Sequence, residues 1–198
     1  MEKKYELVKD DTIEVNSFGC LKVLYRIKAL KDFNDVKKGD LGGYIEKEDN
    51  LSHEDNCWIS GDAKVFGNAQ VSGKAIVFGD ARVFGDARIS GNAKVSGKAD
   101  VSDNACVSGN ACVYNNAKIY SNAHITNIND YIVIGPIGGR NDFTTFYLTK
   151  DKEIMVSCGC FNDTIDEFIK AVNKTYKNND KYKKQYLSTI TYAKTLID

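Results

Sequence analysis

Apolar and polar residues follow a six-residue period through the middle third of this chain. In residues 59–124 one unit recurs eleven times without a gap. Its first three positions are an aliphatic residue, a variable residue and, in most units, Gly. The last three are Asn, Asp or Lys, then Ala, then a second variable residue. Each aliphatic residue follows an Ala by two residues and the pair repeats every six, without the i, i+3, i+4, i+7 pattern of an amphipathic helix, so the pattern excludes an α-helix. It predicts short strands that turn Ala and the aliphatic residue inward, separated by corners of residues that tolerate positive φ.

A strand this short cannot bury its inner face alone, so successive units must stack on one another. The repeat resembles the hexapeptide-repeat, left-handed parallel β-helix family, in which three units form one triangular coil. The resemblance implies that residues 18 apart lie above one another. Two degenerate units precede the regular ones, at residues 45–50 and 51–58, if His53 and Glu54 form a two-residue bulge. Thirteen units, three to a coil, predict a little over four coils.

The segments on either side of the repeat predict a mainly β protein in three parts. Residues 1–44 form an N-terminal β cap, residues 45–128 the parallel β-helix, and residues 129–198 a C-terminal α+β module. In the cap, residues 5–15 and 21–30 read as a β-hairpin with its turn at residues 16–19. We expect it to cover the first coil, whose backbone groups would otherwise pair with other chains.

The C-terminal module is predicted to be a ββαα unit. Residues 131–134 read as a strand, and residues 143–148 and 153–157 as a hairpin. A capping box at residues 164–167 opens the first helix. Its predicted apolar face is Ile165, Phe168, Ile169, Val172 and Tyr176, and that of the second helix is Tyr182, Tyr186, Ile190, Ala193 and Ile197.

Outward residues of the stacked units form three faces that differ in composition. Trp58, Ile76 and Phe78 fall on one face, and Phe66 and Phe84 on a second. Exposed apolar patches on a soluble protein mark contacts. Three explanations stay open: the flanking segments fold back over these side chains, the side chains form the interface of a homo-oligomer (a trimer or a dimer), or they bind a ligand.

Composition and charge narrow the classes of partner. The 27 basic and 27 acidic residues cancel, so no general attraction to nucleic acid or membrane is implied. No apolar run approaches the roughly 20 residues of a membrane span, and residues 1–4 lack the apolar stretch of a secretion signal. We therefore expect a cytoplasmic protein. A cluster of lysines in residues 170–184 is interpreted as a solvated helix surface, which argues against nucleic-acid binding.

The six cysteines are expected to be reduced thiols in that compartment. The pair in residues 158–160 is too closely spaced for a zinc site, which needs four ligands, and the chain has only His53 and His124 to add. We expect no metal and no cofactor.

The non-periodic residues of the C-terminal module are the strongest candidates for a binding site. The segment Gly138-Gly139-Arg140-Asn141 places a flexible backbone beside a guanidinium and an amide, a combination suited to phosphate or carboxylate. In an alternative interpretation Arg140 pairs with a carboxylate and the glycines only turn the chain. The candidate ligand-binding residues are Arg140, Asn141, Thr144, Thr145, Cys158, Cys160 and Phe161.

Many hexapeptide-repeat enzymes are acyltransferases, and the resemblance makes that activity an alternative. Members that use CoA rely on a histidine near a subunit interface and on a loop that projects from a coil. Here the eleven regular units carry no inserted loop, and His53 and His124 fall at opposite ends of the predicted helix. The carbonic-anhydrase branch needs three histidine ligands and is excluded. No catalytic residues are predicted.

The complete layout resembles small hexapeptide-repeat proteins that are common in phage and prophage genomes. The shared features are the segments 38–44, 138–141 and 158–161 around the repeat. The resemblance implies a host-takeover role, such as sequestering a nucleotide-type immune signal or blocking a host protein. We therefore predict a non-enzymatic binding protein that acts in the host cytoplasm. An acyltransferase and a purely structural assembly protein remain the alternatives.

Overall fold

The computed structural model describes residues 2–17 and 19–197, without the side chains of residues 196 and 197. Phe18, in the predicted hairpin turn, and the side chain of Ile197, on the predicted helix face, therefore lie outside the described residues. The protein is a parallel β-solenoid of about five turns with an N-terminal hairpin, a C-terminal antiparallel sheet and two final helices. The mainly β fold class predicted from the repeat is confirmed.

Among the described residues, fifteen strands form the hairpin and the solenoid. The first three are β1 (Tyr5–Ser17), β2 (Cys20–Ala29) and β3 (Leu41–Ile45). The remaining twelve, of two residues each, are β4 (Trp58–Ile59), β5 (Lys64–Val65), β6 (Gln70–Val71), β7 (Ile76–Val77), β8 (Arg82–Val83), β9 (Arg88–Ile89), β10 (Lys94–Val95), β11 (Asp100–Val101), β12 (Cys106–Val107), β13 (Cys112–Val113), β14 (Lys118–Ile119) and β15 (His124–Ile125).

The twelve short strands build three parallel sheets, one for each face of the solenoid. Strands β4, β7, β10 and β13 form one, β6, β9, β12 and β15 a second, and β5, β8, β11 and β14 a third, which the hairpin extends through β3. Val65 pairs with Val83, eighteen residues on, and Val83 with Val101. The Ala and aliphatic positions of the repeat are almost fully buried, as predicted.

The pairing register identifies the two degenerate units and the bulge. Ile45 pairs with Val65 and Leu51 with Val71, each twenty residues on, whereas Trp58 pairs with a residue eighteen on. Two extra residues therefore lie between Leu51 and Trp58, which confirms the bulge predicted at that point.

Many hydrogen bonds between coils run from an amide of one coil to a carbonyl oxygen of the next. The amide of Lys64 donates to the carbonyl oxygen of Ala81 at 2.9 Å, and that of Arg82 donates to Ala99 at 2.9 Å. The corresponding carbonyl groups of the first coil and amides of the last coil have no further coil to bind. Because unpaired buried backbone groups are costly, these positions need donors at the N-terminal end and acceptors at the C-terminal end.

Side chains at the start of β1 supply the donors. The Tyr5 hydroxyl donates to the carbonyl oxygens of Glu48 and Leu51 at 2.9 and 2.7 Å. The Lys4 ammonium donates to the carbonyl oxygen of Cys57 at 2.9 Å, and more weakly to two neighbouring carbonyls. Lys4 is only 1% exposed, and this burial lowers the pKa of its ammonium. The N-terminal segment thus closes the first coil.

In the described residues the C-terminal module has four strands and two helices, where the sequence predicts one strand, a two-stranded hairpin and two helices. They are β16 (Tyr131–Ile137), β17 (Asp142–Leu148), β18 (Ile154–Cys158), β19 (Phe161–Thr164), α1 (Ile165–Thr175) and α2 (Asp180–Ile197). The strands pair antiparallel in sequence order. The sequence misses β19 because its four residues, Phe-Asn-Asp-Thr, do not alternate between apolar and polar; pairing with β18 makes them a strand.

This module supplies the acceptors that the last coil needs. The Thr145 hydroxyl oxygen accepts from the amide of Lys118 at 3.0 Å. An Asp130 carboxylate oxygen accepts from the amides of Thr126 and Asn127 at 2.7 and 2.9 Å. Burial alone would raise the pKa of Asp130, but these hydrogen bonds hold it below the usual carboxyl value. Side-chain oxygens therefore replace the carbonyls of a missing coil.

The two helices cover the other face of the C-terminal sheet. The Thr164 hydroxyl accepts from the amide of Glu167 at the start of α1, where the sequence predicts the N-cap. Phe168 and Val172 pack against Phe146 of the sheet and against α2. All five residues predicted for the apolar face of α1 belong to this cluster.

Replacing Val95 with Asp should destabilise the solenoid strongly. Val95 is fully buried, and an unpaired carboxylate there costs several kcal/mol, a large share of the roughly 5–15 kcal/mol that stabilise a typical domain. The outward residue Ser96 offers the matched control. Thermal unfolding should show a large loss for Val95→Asp and little change for Ser96→Asp; equal losses would contradict the inward and outward assignment.

Removing the Tyr5 hydroxyl tests the donor cap. Tyr5→Phe leaves two carbonyls of the first coil without this donor, so the free energy of unfolding should fall by about 1–3 kcal/mol. Chemical denaturation measures the change. Tyr192→Phe, at a side chain that is 54% exposed, should change it by much less, and a similar effect of both variants would rule out a special role for Tyr5.

The stability that Asp130 contributes should depend on pH. Its native pKa lies below the usual 3.8, so the contribution is complete above that value and is lost as the pH falls through the native pKa. Melting curves of the wild type and Asp130→Asn should therefore differ at pH 6 and converge in strong acid. A difference that stays constant down to pH 2 would show that the charge of Asp130 is not involved.

Candidate functional site

A cavity of about 210 Å³ lies in the C-terminal module between the β18–β19 turn and the two helices. Its walls are largely aromatic, and three further side chains, Arg140, Cys158 and Cys160, add polar or soft groups. The aromatic members are Phe161, Phe168, Tyr176 and Tyr186. A concave, mostly apolar site with a few polar groups is typical of small-molecule binding.

The loop between β16 and β17 holds Arg140 at this cavity. The amide of Gly138 donates to the side-chain oxygen of Gln185 on α2 at 3.1 Å. A Cβ atom at Gly138 would clash with the Tyr186 hydroxyl, and the positive φ of 71° also favours glycine there. The loop can therefore approach α2 closely only because this position has no side chain.

The charge of Arg140 has no acidic partner in the described part of the chain. None of the ion pairs formed by residues 2–17 and 19–197 includes it, so the alternative in which Arg140 pairs with a carboxylate is wrong. A Cβ atom at Gly159 would lie 2.6 Å from its Nη1 atom. The guanidinium thus lies directly against the turn between Cys158 and Cys160.

The aromatic rings form a continuous wall. Tyr176 and Tyr186 stack with their centroids 5.5 Å apart, and Phe168 meets Tyr186 edge to face at 5.7 Å. Phe161 packs on Phe168 at 5.1 Å. Burial raises the pKa of the Tyr186 hydroxyl, which stays neutral at physiological pH. The wall offers ring faces for stacking and a neutral hydroxyl for hydrogen bonding.

Four of the seven predicted ligand residues meet at the cavity: Arg140, Cys158, Cys160 and Phe161. Thr144 is fully buried behind it, where its hydroxyl donates to the Cys158 sulfur at 3.3 Å. Thr145 does not join them, because its hydroxyl lies on the opposite face of the sheet and accepts from an amide of the last coil. Asn141 is exposed and turns the chain with a φ of 52°.

The sequence did not single out the helix residues that complete the cavity. Phe168, Val172 and Tyr176 recur at helical spacing, which predicts core packing alone. They do pack in the core, and they also line the cavity. Tyr186 of α2 has the same double role. A cavity beside a core face leaves no separate pattern in the sequence.

Lysines lie close along the chain to several residues that line the cavity. Lys174 and Lys177 flank the lining residues Thr175 and Tyr176, and both are exposed. At the start of α1 the charges are of the opposite sign, Asp166 and Glu167. Positive charge is therefore concentrated towards the C-terminal end of α1.

The apolar residues of the solenoid faces divide into covered and open ones. Trp58 is buried under Phe33, whose ring meets it edge-on at 5.3 Å. Phe66 is buried against the hairpin and stacks on Phe84 at 5.1 Å. For Trp58 and Phe66 the structure therefore supports coverage by flanking segments. Ile76 and Phe84 are half-buried, and Phe78 is 39% exposed.

No protein-family model matches the chain. Over 37 residues it is 51% identical to a protein of Escherichia coli (strain K12) named "Uncharacterized acetyltransferase YdcK". The matched segment is 19% of this chain and 11% of that protein, so the chain spans only a small part of the curated relative. The match and the solenoid fit the resemblance to hexapeptide-repeat proteins, and they leave the activity open.

The two histidines do not share a site. His53 lies in the bulge of the first coil, where its Nδ1 atom accepts from the amide of Lys4 at 3.1 Å and its ring stacks on Tyr5 at 4.2 Å. Burial lowers the pKa of His53. His124 lies in the last coil, on β15. Their positions at opposite ends of the solenoid agree with the sequence prediction.

Residues 2–17 and 19–197 contain no group of three or more His, Cys, Asp or Glu side chains that could hold a metal ion. None of the helices in this part of the chain combines the length and the apolarity that crossing a bilayer requires.

Proposed function

We propose that this protein is a non-enzymatic binding protein whose C-terminal module holds a small anionic ligand of nucleotide type. The observation that carries the proposal is the guanidinium of Arg140, which lies without an acidic partner beside an aromatic cavity. A planar guanidinium binds phosphate or carboxylate through two parallel hydrogen bonds.

The size and lining of the cavity suggest how such a ligand would lie. Its volume of about 210 Å³ is below the roughly 300–1,000 Å³ typical of sites for drug-sized ligands, so it would enclose one ring system rather than a whole nucleotide. The ring would contact Tyr176 and Phe161, and the charged group would remain at the rim near Arg140.

The chemistry of the lining favours binding over catalysis. Among the described residues that line the cavity there is no carboxylate and no histidine, the usual general acids and bases. The raised pKa of Tyr186 makes it a poor base at neutral pH. The thiols of Cys158 and Cys160 are the nucleophiles present, and the proposed function does not use them.

The biological role that we propose is sequestration. The resemblance to phage and prophage proteins supports a nucleotide-type immune signal of a host cell as the ligand, bound stoichiometrically in the host cytoplasm. A host protein is the second kind of partner. We also propose a homo-oligomer, a trimer or a dimer, that uses the open apolar residues Ile76 and Phe78. Light scattering that finds a monomer would contradict the oligomer.

Acetyl transfer is the second candidate function, because the matched relative is named an acetyltransferase. It would require an acetyl-CoA site and a base. Turnover distinguishes it from sequestration, which consumes no substrate.

Calorimetric titration with nucleotides, cyclic nucleotides and acetyl-CoA tests the proposal. A nucleotide-type ligand should bind without turnover, and Arg140→Ala should weaken its affinity about ten- to hundredfold, which corresponds to the roughly 1.5–3 kcal/mol of a charge-assisted hydrogen bond. Its melting temperature should stay close to that of the wild type, because Arg140 has no ion-pair partner to lose.

The exposed residue Arg88 on the solenoid provides the matched control. Arg88→Ala should bind as the wild type does. Turnover of acetyl-CoA would support the transferase instead. The proposed site is wrong if none of these compounds binds or if both variants weaken binding equally.

A further inference from the structure

Two thiols line the same cavity on either side of a single glycine. Cys158 ends β18 and is half-buried, whereas Cys160 is exposed in the turn before β19. Gly159 between them adopts a φ of 62°, which bends the chain. A disulfide needs Cα atoms about 4.4–6.8 Å apart, a range that residues i and i+2 reach in a bent chain because each Cα–Cα step is about 3.8 Å.

The groups around these thiols are those that accompany reactive cysteines. The Arg140 guanidinium lies against Gly159, between the two sulfur-bearing residues, and a neighbouring arginine is typical of reactive thiols. The Thr144 hydroxyl donates to the Cys158 sulfur at 3.3 Å. An accessible cysteine beside a second one that can resolve it is the usual arrangement of redox-sensing pairs.

Other cysteines of the chain have different surroundings. Cys57 is fully buried, its carbonyl and sulfur both accept from Lys4, and burial raises the pKa of its thiol. Cys106 and Cys112 lie on two different faces of the solenoid. Cys20 is exposed at the start of β2, in the N-terminal hairpin.

We propose that Cys160 and Cys158 form a redox-active dithiol that reacts with small anionic disulfides. Arg140 would hold a carboxylate of the disulfide, and the open side of the cavity would admit its sulfur atoms to Cys160. This activity uses the cavity of the proposed function but does not depend on it, because the disulfide is the only substrate required.

The reaction balances in two exchange steps. The Cys160 thiolate attacks one sulfur of the substrate disulfide; that S–S bond breaks, a mixed disulfide forms on Cys160, and the first small thiolate leaves and takes a proton from water. The Cys158 thiolate then attacks the Cys160 sulfur and releases the second small thiolate, which is also protonated. The protein dithiol loses two electrons, and the substrate disulfide is reduced to two thiols.

Oxidised glutathione, which carries carboxylates, is the probe, and hydroxyethyl disulfide is the neutral comparison. After incubation with oxidised glutathione, mass spectrometry without reductant should show wild-type protein with a disulfide between Cys158 and Cys160 and no lasting adduct on either residue. Cys158→Ser should instead accumulate one glutathione on Cys160, as peptide mapping should show. Cys160→Ser should lose both products at this pair.

A preference of Cys160 for a charged disulfide tests the role of Arg140, because the exposure of Cys160 alone would not produce that preference. In the wild type, Cys160 should react with oxidised glutathione about three- to tenfold faster than Cys20 of the same molecule. Arg140→Gln should remove most of that preference, because it should slow the reaction of Cys160 with oxidised glutathione more than its reaction with hydroxyethyl disulfide.

Comparing Cys160 with Cys20 inside the wild-type molecule needs no variant, so a variant that fails to fold does not affect the test. Equal rates at the two cysteines would overturn the proposal, as would a mixed disulfide that persists on Cys160 in the wild type. Binding of nucleotides is measured separately, so either proposal can fail alone.

Discussion

Many backbone amides of this solenoid donate to the next coil along the chain, and side chains at both ends satisfy the groups that these bonds leave unpaired. Tyr5 and Lys4 donate to carbonyl oxygens of the first coil, while Thr145 and Asp130 accept from amides of the last. The last coil also receives a donor, since the Tyr131 hydroxyl donates to the carbonyl oxygen of Cys112 at 2.9 Å. Each cap therefore places its polar side chains to match the backbone groups that its own coil presents.

The two faces of the C-terminal sheet have different roles. Its inner face carries Thr145 and closes the solenoid, and its outer face carries Thr144 and Cys158 and holds the helices that complete the cavity. Neighbouring residues of one strand therefore have different roles, because side chains alternate between the two faces of a sheet. The candidate site is attached to the solenoid through the same sheet whose inner face covers the last coil.

The solenoid could be predicted because every unit carries the same constraint. Packing inside the coils requires an aliphatic residue or Ala at each inward position. The capping side chains could not be predicted, because a single Thr or Asp forms no pattern and its role depends on where the last coil ends. Thr144 and Thr145 illustrate this limit. Both were proposed as ligand residues, yet the strand that separates them by one position sends them to opposite faces. That Arg140 has no acidic partner among the described residues could also be seen only in the folded chain.

The identical stacking of the coils has a consequence for how such a protein can change in length. Since Val83 lies over Val65, inserting or deleting eighteen residues would move the two ends apart or together by one strand spacing, about 4.8 Å, with no change in their relative orientation. A change of six residues would instead rotate one end by a third of a turn. Growth of this architecture is therefore modular in whole coils, and the distance between the hairpin and the cavity can vary while both ends keep their structure.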